Sequence, residues 1–406
     1  MKVILSKKGL DSSFKSLCLL PIPIGHDKTT KIEFVPIPDK FDKLKYGNIE
    51  SYIKSFTKVM KSDETGKYKS FLKTHCHLDP QLENYFNCKN FKGSLGQIEG
   101  FQTHLENNSV EVGDLFLFYG SYCNLISENK ITRQGKHVIW GYMQIGEIIK
   151  PETLNRSERK KLKKKYPWLK YQPHWNKEKY KDIKNNTIYI AKDICSFDNN
   201  LKGYGILDYT VSLNLTDRDN DNTNKTSWKV KELSGCKTSY KSLDDEKGFD
   251  ELGQYKVPAR CQEIVINDEK AEKWAIDLIK RHTYQNKGIT ILNDSAKNIK
   301  SQINKLAKSF SKEQILNIKC EQFCNDLMLC KGLTWEMVHE YMGYKLIIIT
   351  DIQFLKNKLN EQDKFFQLLQ KLLVEEREIV LSCDDNIDNI LNNQNLIELI
   401  RKHSRQ

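Results

Sequence analysis

Two short runs constrain this chain more than anything else in it: Leu115–Tyr119 (LFLFY) and His137–Ile145 (HVIWGYMQI), both dense in aromatic and aliphatic residues. Neither alternates with polar residues, so each fits a strand covered on both faces. Gly113-Asp114 before the first run carries turn chemistry, as does the polar, Gly-containing segment between the two. The simplest arrangement is a hairpin with a long basic loop. Gly120, Gly141 and Gly146 sit beside bulky aromatics, and glycine in a strand often marks a bulge or a place where a ligand approaches the backbone.

A chain of 406 residues has room for two or three domains. Lys and Arg outnumber Asp and Glu by 65 to 53, a net charge of +12. That balance favours a polyanionic partner, nucleic acid or nucleotide, over an acidic one; solvated basic faces are the plain alternative. Met1–Ser6 reads as a short strand followed at once by charge, not as a signal peptide. No run approaches the ~20 apolar residues that cross a bilayer. The expectation is a cytoplasmic protein with no membrane partner. Eleven cysteines without a CxxC pair read as reduced thiols.

In the first half, Lys2–Ser6 is a strand by composition, followed by a polar turn, Lys7-Lys8-Gly9-Leu10-Asp11. A basic loop at a strand end can hold a phosphate through Lys7 and Lys8, with Asp11 a further substrate-binding candidate, or can be an ordinary loop. His75, Cys76 and His77, with Cys88, invite a zinc reading. Their spacing matches no common finger and assembles no four-ligand site locally, so no metal is assigned. Residues 93–105 are Gly-rich and then turn helical. A helix start can present free N–H groups to an anion. Gln97, Gln102 and His104 are the polar side chains there, and His104 could act as a general base because imidazole titrates near neutrality. Arg156–Lys165 is a basic run followed by Tyr166-Pro167-Trp168. It suits a nucleic-acid backbone with stacking nearby, or simply a solvated helix.

Several pieces together resemble the nucleotide-modification-associated domain type 3 family. They are the amino-terminal M-K-V-I-L-S-K-K-G-L-D-S-S, H-L-D-P at 77–80, L-G-Q-I-E-G-F-Q-T-H-L at 95–105, the two central strands, N-T-I-Y-I-A at 186–191 and R-C-Q-E-I-V at 260–265. The shared H-L-D-P implies that His77 and Asp79 face a ligand pocket. The central strands are also similar in style to PUA/ASCH-type barrels, a fold-level analogy only. The first half is therefore expected to be a mixed-β domain over 1–267, with a PUA-like barrel as one form open to it. Residues 268–284 read as an amphipathic linker helix, acid first and base last.

The second half, 285–406, alternates strands with helices, which predicts a parallel three-layer α/β domain. L-I-I-I-T-D-I-Q-F-L at 346–355, C-E-Q-F-C-N-D-L at 320–327 and I-V-L-S-C-D-D at 379–385 resemble the AAA+ core of the bacterial replication initiator DnaA. The chemistry of that family is not preserved. In the P-loop segment Asp294–Ser301, Lys300 and Ser301 stand in the right relative positions, but Asp294 and Ile299 stand where glycines would wrap phosphate. In Walker B, Thr350 replaces the first acid and Asp351 remains.

The resulting expectation has two halves. The first recognises, or also modifies, a base: Lys7 and Lys8 hold phosphate, Trp140 and Tyr142 stack on the base, and His77, Asp79 and His104 move protons. The second is an ATPase-dead scaffold for self-association or partner docking. A non-catalytic reader and an interaction protein that binds a replication factor, in phage defence or replication control, are the rivals. The motifs name no cofactor.

Overall fold

The computed structural model describes the chain except residues 11–19, 23–31, 62–66, 128–129, 132–134, 218–223, 241–247, 259–260, 284–287 and 406. It falls into two units, one of Met1–Pro23 and Lys31–Thr283, the other including Tyr284–Gln406. Asp11 lies outside the described residues.

The two apolar runs form the centre of the first unit. Leu115–Ser127 and Lys136–Ile149 pair antiparallel, each extending well past the run that signals it. Covered on both sides, Phe116, Phe118, Ile139 and Trp140 are fully buried. They sit in a nine-stranded mixed sheet. Its main path runs Glu263–Ile266, Val3–Lys7, Leu115–Ser127, Lys136–Ile149, Thr187–Ala191, Ser94–Gln97. Val3–Lys7 is parallel to Leu115–Ser127 and antiparallel to Glu263–Ile266. The Gln97 side chain reaches Glu263, so the two end strands come together through side chains. Among the described residues no backbone ladder joins them, and the sheet is curled without being a closed barrel.

Gly146 falls at the register shift between Ile145 and Glu147, with Lys192 backbone 2.8 Å from where a Cβ would stand. The close approach there is strand to strand. Residues 268–284 contain the helix Glu269–Thr283, which packs within the first unit against Val3–Lys7 and the turn Lys231–Leu233. Its apolar stripe of Ala271, Trp274, Ala275, Leu278 and Ile279 is buried.

The second unit is a five-stranded, all-parallel sheet in the order Ile315–Lys319, Leu346–Thr350, Glu378–Cys383, Ile289–Asn293, Ser404–Arg405. Ile347 and Ile349 pack to one side with the helices Cys320–Leu329, Leu359–Val374 and Gln394–His403. Leu346 and Ile348 pack to the other, against Ile299, Ile303 and Leu306 of the helix Ala296–Ala307. Burial on both faces explains why the run LIII carries no polar alternation. Among the described residues no helix is long and apolar enough to cross a membrane.

Candidate functional site

Strand ends build a cavity in the first unit. Val3–Lys7 is pinned beyond its end by Lys7 N donating to Gln262 O at 2.7 Å and Lys8 N donating to Tyr119 O at 2.8 Å. That holds the Lys7-Lys8-Gly9 turn at one wall. Gly96 and Gln97 form another, and the segments holding His77, Asp79, His174 and Tyr180 complete it. The cavity is about 650 Å³, in the range of small-molecule sites. Phe101, partly exposed, is also in its lining.

The polar side chains on this wall are each held from behind. Asp42 Oδ2 accepts from His77 Nδ1 at 2.7 Å. Lys179 Nζ donates to Asp39 Oδ2 at 2.7 Å and Asp42 Oδ1 at 2.9 Å. Burial raises the Asp39 carboxyl, but the Lys179 ammonium, the Phe41 N–H and His77 outweigh it and hold it below the usual value. Asp79 is buried and accepts from the Gly96 N–H at 2.9 and 3.1 Å and from Gln172 Nε2 at 3.0 Å. Burial pushes its carboxyl up despite His77, Lys8 and these donors.

His174 is stacked on Tyr180 at 4.7 Å. The Asn186 side-chain amide donates to His174 O at 2.8 Å, so its oxygen is what meets His174 Nδ1 at 2.9 Å. His174 Nδ1 therefore carries the hydrogen, and Nε2 presents a lone pair 3.9 Å from Asp79 Oδ2. Burial first, then the neighbouring His77, push this imidazole well below its ordinary value and keep it neutral. Gly96 makes this packing feasible: a Cβ there would stand 2.1 Å from the His174 ring.

Behind the cavity lies Glu263, fully buried on the neighbouring strand. Its Oε1 accepts from Ser6 Oγ at 3.1 Å, from Lys8 Nζ at 3.0 Å and from Gln97. Burial raises its carboxyl, and Lys8, Ser6 and Gln97 oppose that.

Of the expected residues, the structure gathers Lys7, Lys8, His77, Asp79 and Gln97 around one cavity. Four others stand elsewhere. Trp140 is fully buried, stacked on Phe34 at 4.5 Å and against Phe118 at 5.5 Å, so it fills the core and offers no face to a base. Tyr142 is buried and donates to Lys202 O at 3.0 Å. Gln102 accepts from Tyr189 OH at 2.9 Å inside the core. His104 stacks on Tyr240 at 4.3 Å and meets Ser239 Oγ at 3.0 Å, away from the cavity lining. Sequence spacing missed His174, Lys179, Tyr180 and Phe101. The one available signal was a histidine set among aromatics in Pro173-His174-Trp175.

A second cavity of about 660 Å³ is lined by Asp42 and Gln172, the side chains that bond His77 and Asp79, and by Arg159, Lys163, Lys170 and Tyr171. The Arg159 guanidinium lies over the Trp175 ring at 4.8 Å, and Tyr171 stacks on Phe86 at 4.0 Å. The helix Arg156–Lys165 buries none of its residues and starts with a capping box at Asn155 and Glu158.

In the second unit, Lys300 and Ser301 are exposed on Ala296–Ala307. Ahead of that helix Asp294 accepts from Ser295 N at 2.6 Å and Asn298 Nδ2 at 3.0 Å. Asp351, at the carboxyl end of Leu346–Thr350, is exposed with φ 61°. Asp384 and Asp385 follow the end of the neighbouring strand Glu378–Cys383. The strand ends where an open parallel sheet usually takes its ligand thus carry carboxylates.

Comparison with known proteins agrees with this division. The family model described as nucleotide modification associated domain 3 matches residues 2–267. The model described as bacterial DnaA ATPase domain matches 293–399. No curated protein matches the chain. Domain III from the Thermotoga maritima replication initiation protein DnaA is 20% identical, covering 33% of this chain and 59% of that one, with a TM-score of 0.26. AMPPCP-bound DnaA from Aquifex aeolicus is 19% identical, covering 33% of this chain and 43% of that one, with a TM-score of 0.25. A replication initiator DnaA bound to AMPPCP and single-stranded DNA is 20% identical, covering 32% and 44%, with a TM-score of 0.25. The chain thus spans less than two thirds of each of these structures. With its larger unit matched almost from end to end, the chain belongs to the nucleotide modification associated domain 3 family, and a later segment of it is similar to the bacterial DnaA ATPase domain.

Proposed function

We propose that the first unit binds a nucleic-acid strand and takes one of its bases into the cavity beside His77, Asp79 and His174. The family that covers this unit is named for an association with nucleotide modification. The observation that carries the reading is the cavity itself: lysines at one wall, polar side chains held rigidly at another, and Phe101 as a partly exposed stacking face. The adjoining groove with Arg159, Lys163 and Lys170 supplies phosphate contacts, and its Tyr171 supplies an aromatic surface.

Fluorescence anisotropy of the full chain with a short single-stranded oligonucleotide tests this. Affinity is expected to fall steeply with salt. Replacing Lys163 and Lys170 by alanine lowers the log–log slope by about 1.4, from two lost phosphate contacts on a single strand. Phe101→Ala weakens binding without changing that slope. Affinity that is independent of salt, or that ignores both changes, sinks the reading.

The second unit is read as a scaffold that acts without nucleotide. Asp294, where a P-loop glycine would stand, holds the Ser295 N–H and the Asn298 side chain, Lys300 faces solvent, and Thr350 stands in place of the first Walker B acid. ATP with Mg²⁺ is expected to leave the melting temperature unchanged, and self-association or partner capture through 285–406 is expected to need no ATP. A melting temperature that rises with ATP–Mg²⁺ contradicts this.

A further inference from the structure

We infer that His77, Asp79 and His174 hold a divalent first-row transition-metal ion of the Fe²⁺, Mn²⁺ or Co²⁺ class, at the wall of the cavity proposed to take the base. The inference rests on that reading only for what the ion would face. One ligand atom from each of the three residues lies within 4.8 Å of the others. Three donors about 2.1 Å from one ion lie roughly 3.0–3.6 Å apart, so closure asks for side-chain shifts of up to about 1 Å or a little more.

What separates this group from a chance cluster is what stands behind it. Metal-binding imidazoles commonly have their second nitrogen held by an oxygen, which fixes the ring and its tautomer. Both histidines show this arrangement. His77 Nδ1 is held by Asp42 Oδ2 at 2.7 Å, and His174 Nδ1 by Asn186 Oδ1 at 2.9 Å. His174 Nε2 is left bare and directed at Asp79. The Asp79 carboxylate is itself aimed by the Gly96 N–H and Gln172. His174 is locked between Tyr180 and the bare Gly96 backbone.

A second group, Asp39, Asp42 and His77, also brings its ligand atoms within 4.8 Å of one another. There Lys179 Nζ already lies 2.7 and 2.9 Å from the two carboxylates and 3.5 Å from His77 Nδ1. An ammonium occupies the place a metal would need, so that group orients His77 and does not bind the ion itself. Two imidazoles and one carboxylate make a borderline-to-hard donor set that favours first-row transition ions over Ca²⁺ or Mg²⁺. Three protein ligands leave coordination positions open toward the cavity for water or a ligand oxygen.

Cobalt(II) titrated into the EDTA-stripped full chain tests this, read by its visible d–d absorption and by metal analysis after gel filtration. The expected result is one Co²⁺ per chain. Asp79→Asn and His174→Gln each weaken it by at least about tenfold while cooperative melting is retained. Because a buried substitution can unfold the unit, Mn²⁺-loaded wild-type protein is also examined by pulsed electron paramagnetic resonance. Hyperfine coupling to two imidazole nitrogens is expected. No bound Co²⁺, no imidazole coupling, or binding that survives both substitutions and disappears in Asp39→Asn would overturn the inference. Oligonucleotide binding is measured on the stripped protein alongside. Oligonucleotide binding without metal binding removes the metal site alone, and metal binding without oligonucleotide removes the strand-binding reading alone.

Discussion

Gly96→Ala collapses the candidate site and destabilises the first unit by roughly 3 kcal/mol, the upper end of what overpacking costs. The added Cβ would stand 2.1 Å from Cδ2 and Cγ of His174 and 2.7 Å from its Nε2. Neither partner can give way cheaply. Gly96 lies in the strand Ser94–Gln97, paired to Thr187–Ala191 with Gly96 opposite Ile188. The ring is held by Tyr180 and Asn186. Moving the strand would break the Gly96 N–H bonds that satisfy buried Asp79, adding the cost of an unpaired buried carboxylate. Oligonucleotide binding is lost with it. Gly100 provides the contrast: it lies in the helix Glu99–Asn107 with nothing within 4 Å of a Cβ. Gly100→Ala is expected to stabilise by up to about 1 kcal/mol, through helix propensity. Urea melts of the two variants measure the difference; a Gly96→Ala protein that melts and binds like wild type refutes the packing account.

Lys8→Met is expected to cost about 3–5 kcal/mol at neutral pH, the usual result of removing one partner from a buried ion pair. Glu263 is fully buried, and Lys8 is the one cation bonded to it among the described residues. The pH dependence follows from the raised Glu263 carboxyl, which burial pushes above its ordinary value. A carboxyl raised in the folded state favours folding while protonated. That contribution is present below the unfolded carboxyl's own range and is lost as pH rises through the folded value. Removing Lys8 raises the folded value further. The deficit of Lys8→Met relative to wild type is therefore largest at neutral pH and shrinks as pH falls into the carboxylate range. Adding Glu263→Gln, which keeps the shape and can still meet Ser6 and Gln97, recovers most of the loss at neutral pH. A deficit that is flat with pH, or a double variant no more stable than Lys8→Met, contradicts the buried-charge account.

The strands were legible because burial on both faces leaves unbroken apolar runs, as in Leu115–Tyr119 and Leu346–Ile349. The same runs misled the search for a site. Sequence cannot distinguish an aromatic that stacks on a ligand from one that stacks on Phe34, and Trp140 does the latter. His77 and Asp79 could be singled out because they stand two residues apart in one motif. Their partner His174 arrives from a different segment, and only the fold reveals that it shares their cavity. Glu263 was hidden for a related reason: on paper it is one more polar residue in a strand, and its cost depends wholly on lying behind Lys8.

The account's central claim is that a base enters the first unit, beside His77 and Phe101, and that the DnaA-like unit does not supply the binding site. Photo-crosslinking of the full chain to a single-stranded oligonucleotide carrying 4-thiothymidine, with the adducts mapped by peptide mass spectrometry, tests it most directly. The account predicts adducts on peptides spanning 96–101 and 174–180, lost in Phe101→Ala. Adducts confined to 285–406 would contradict it.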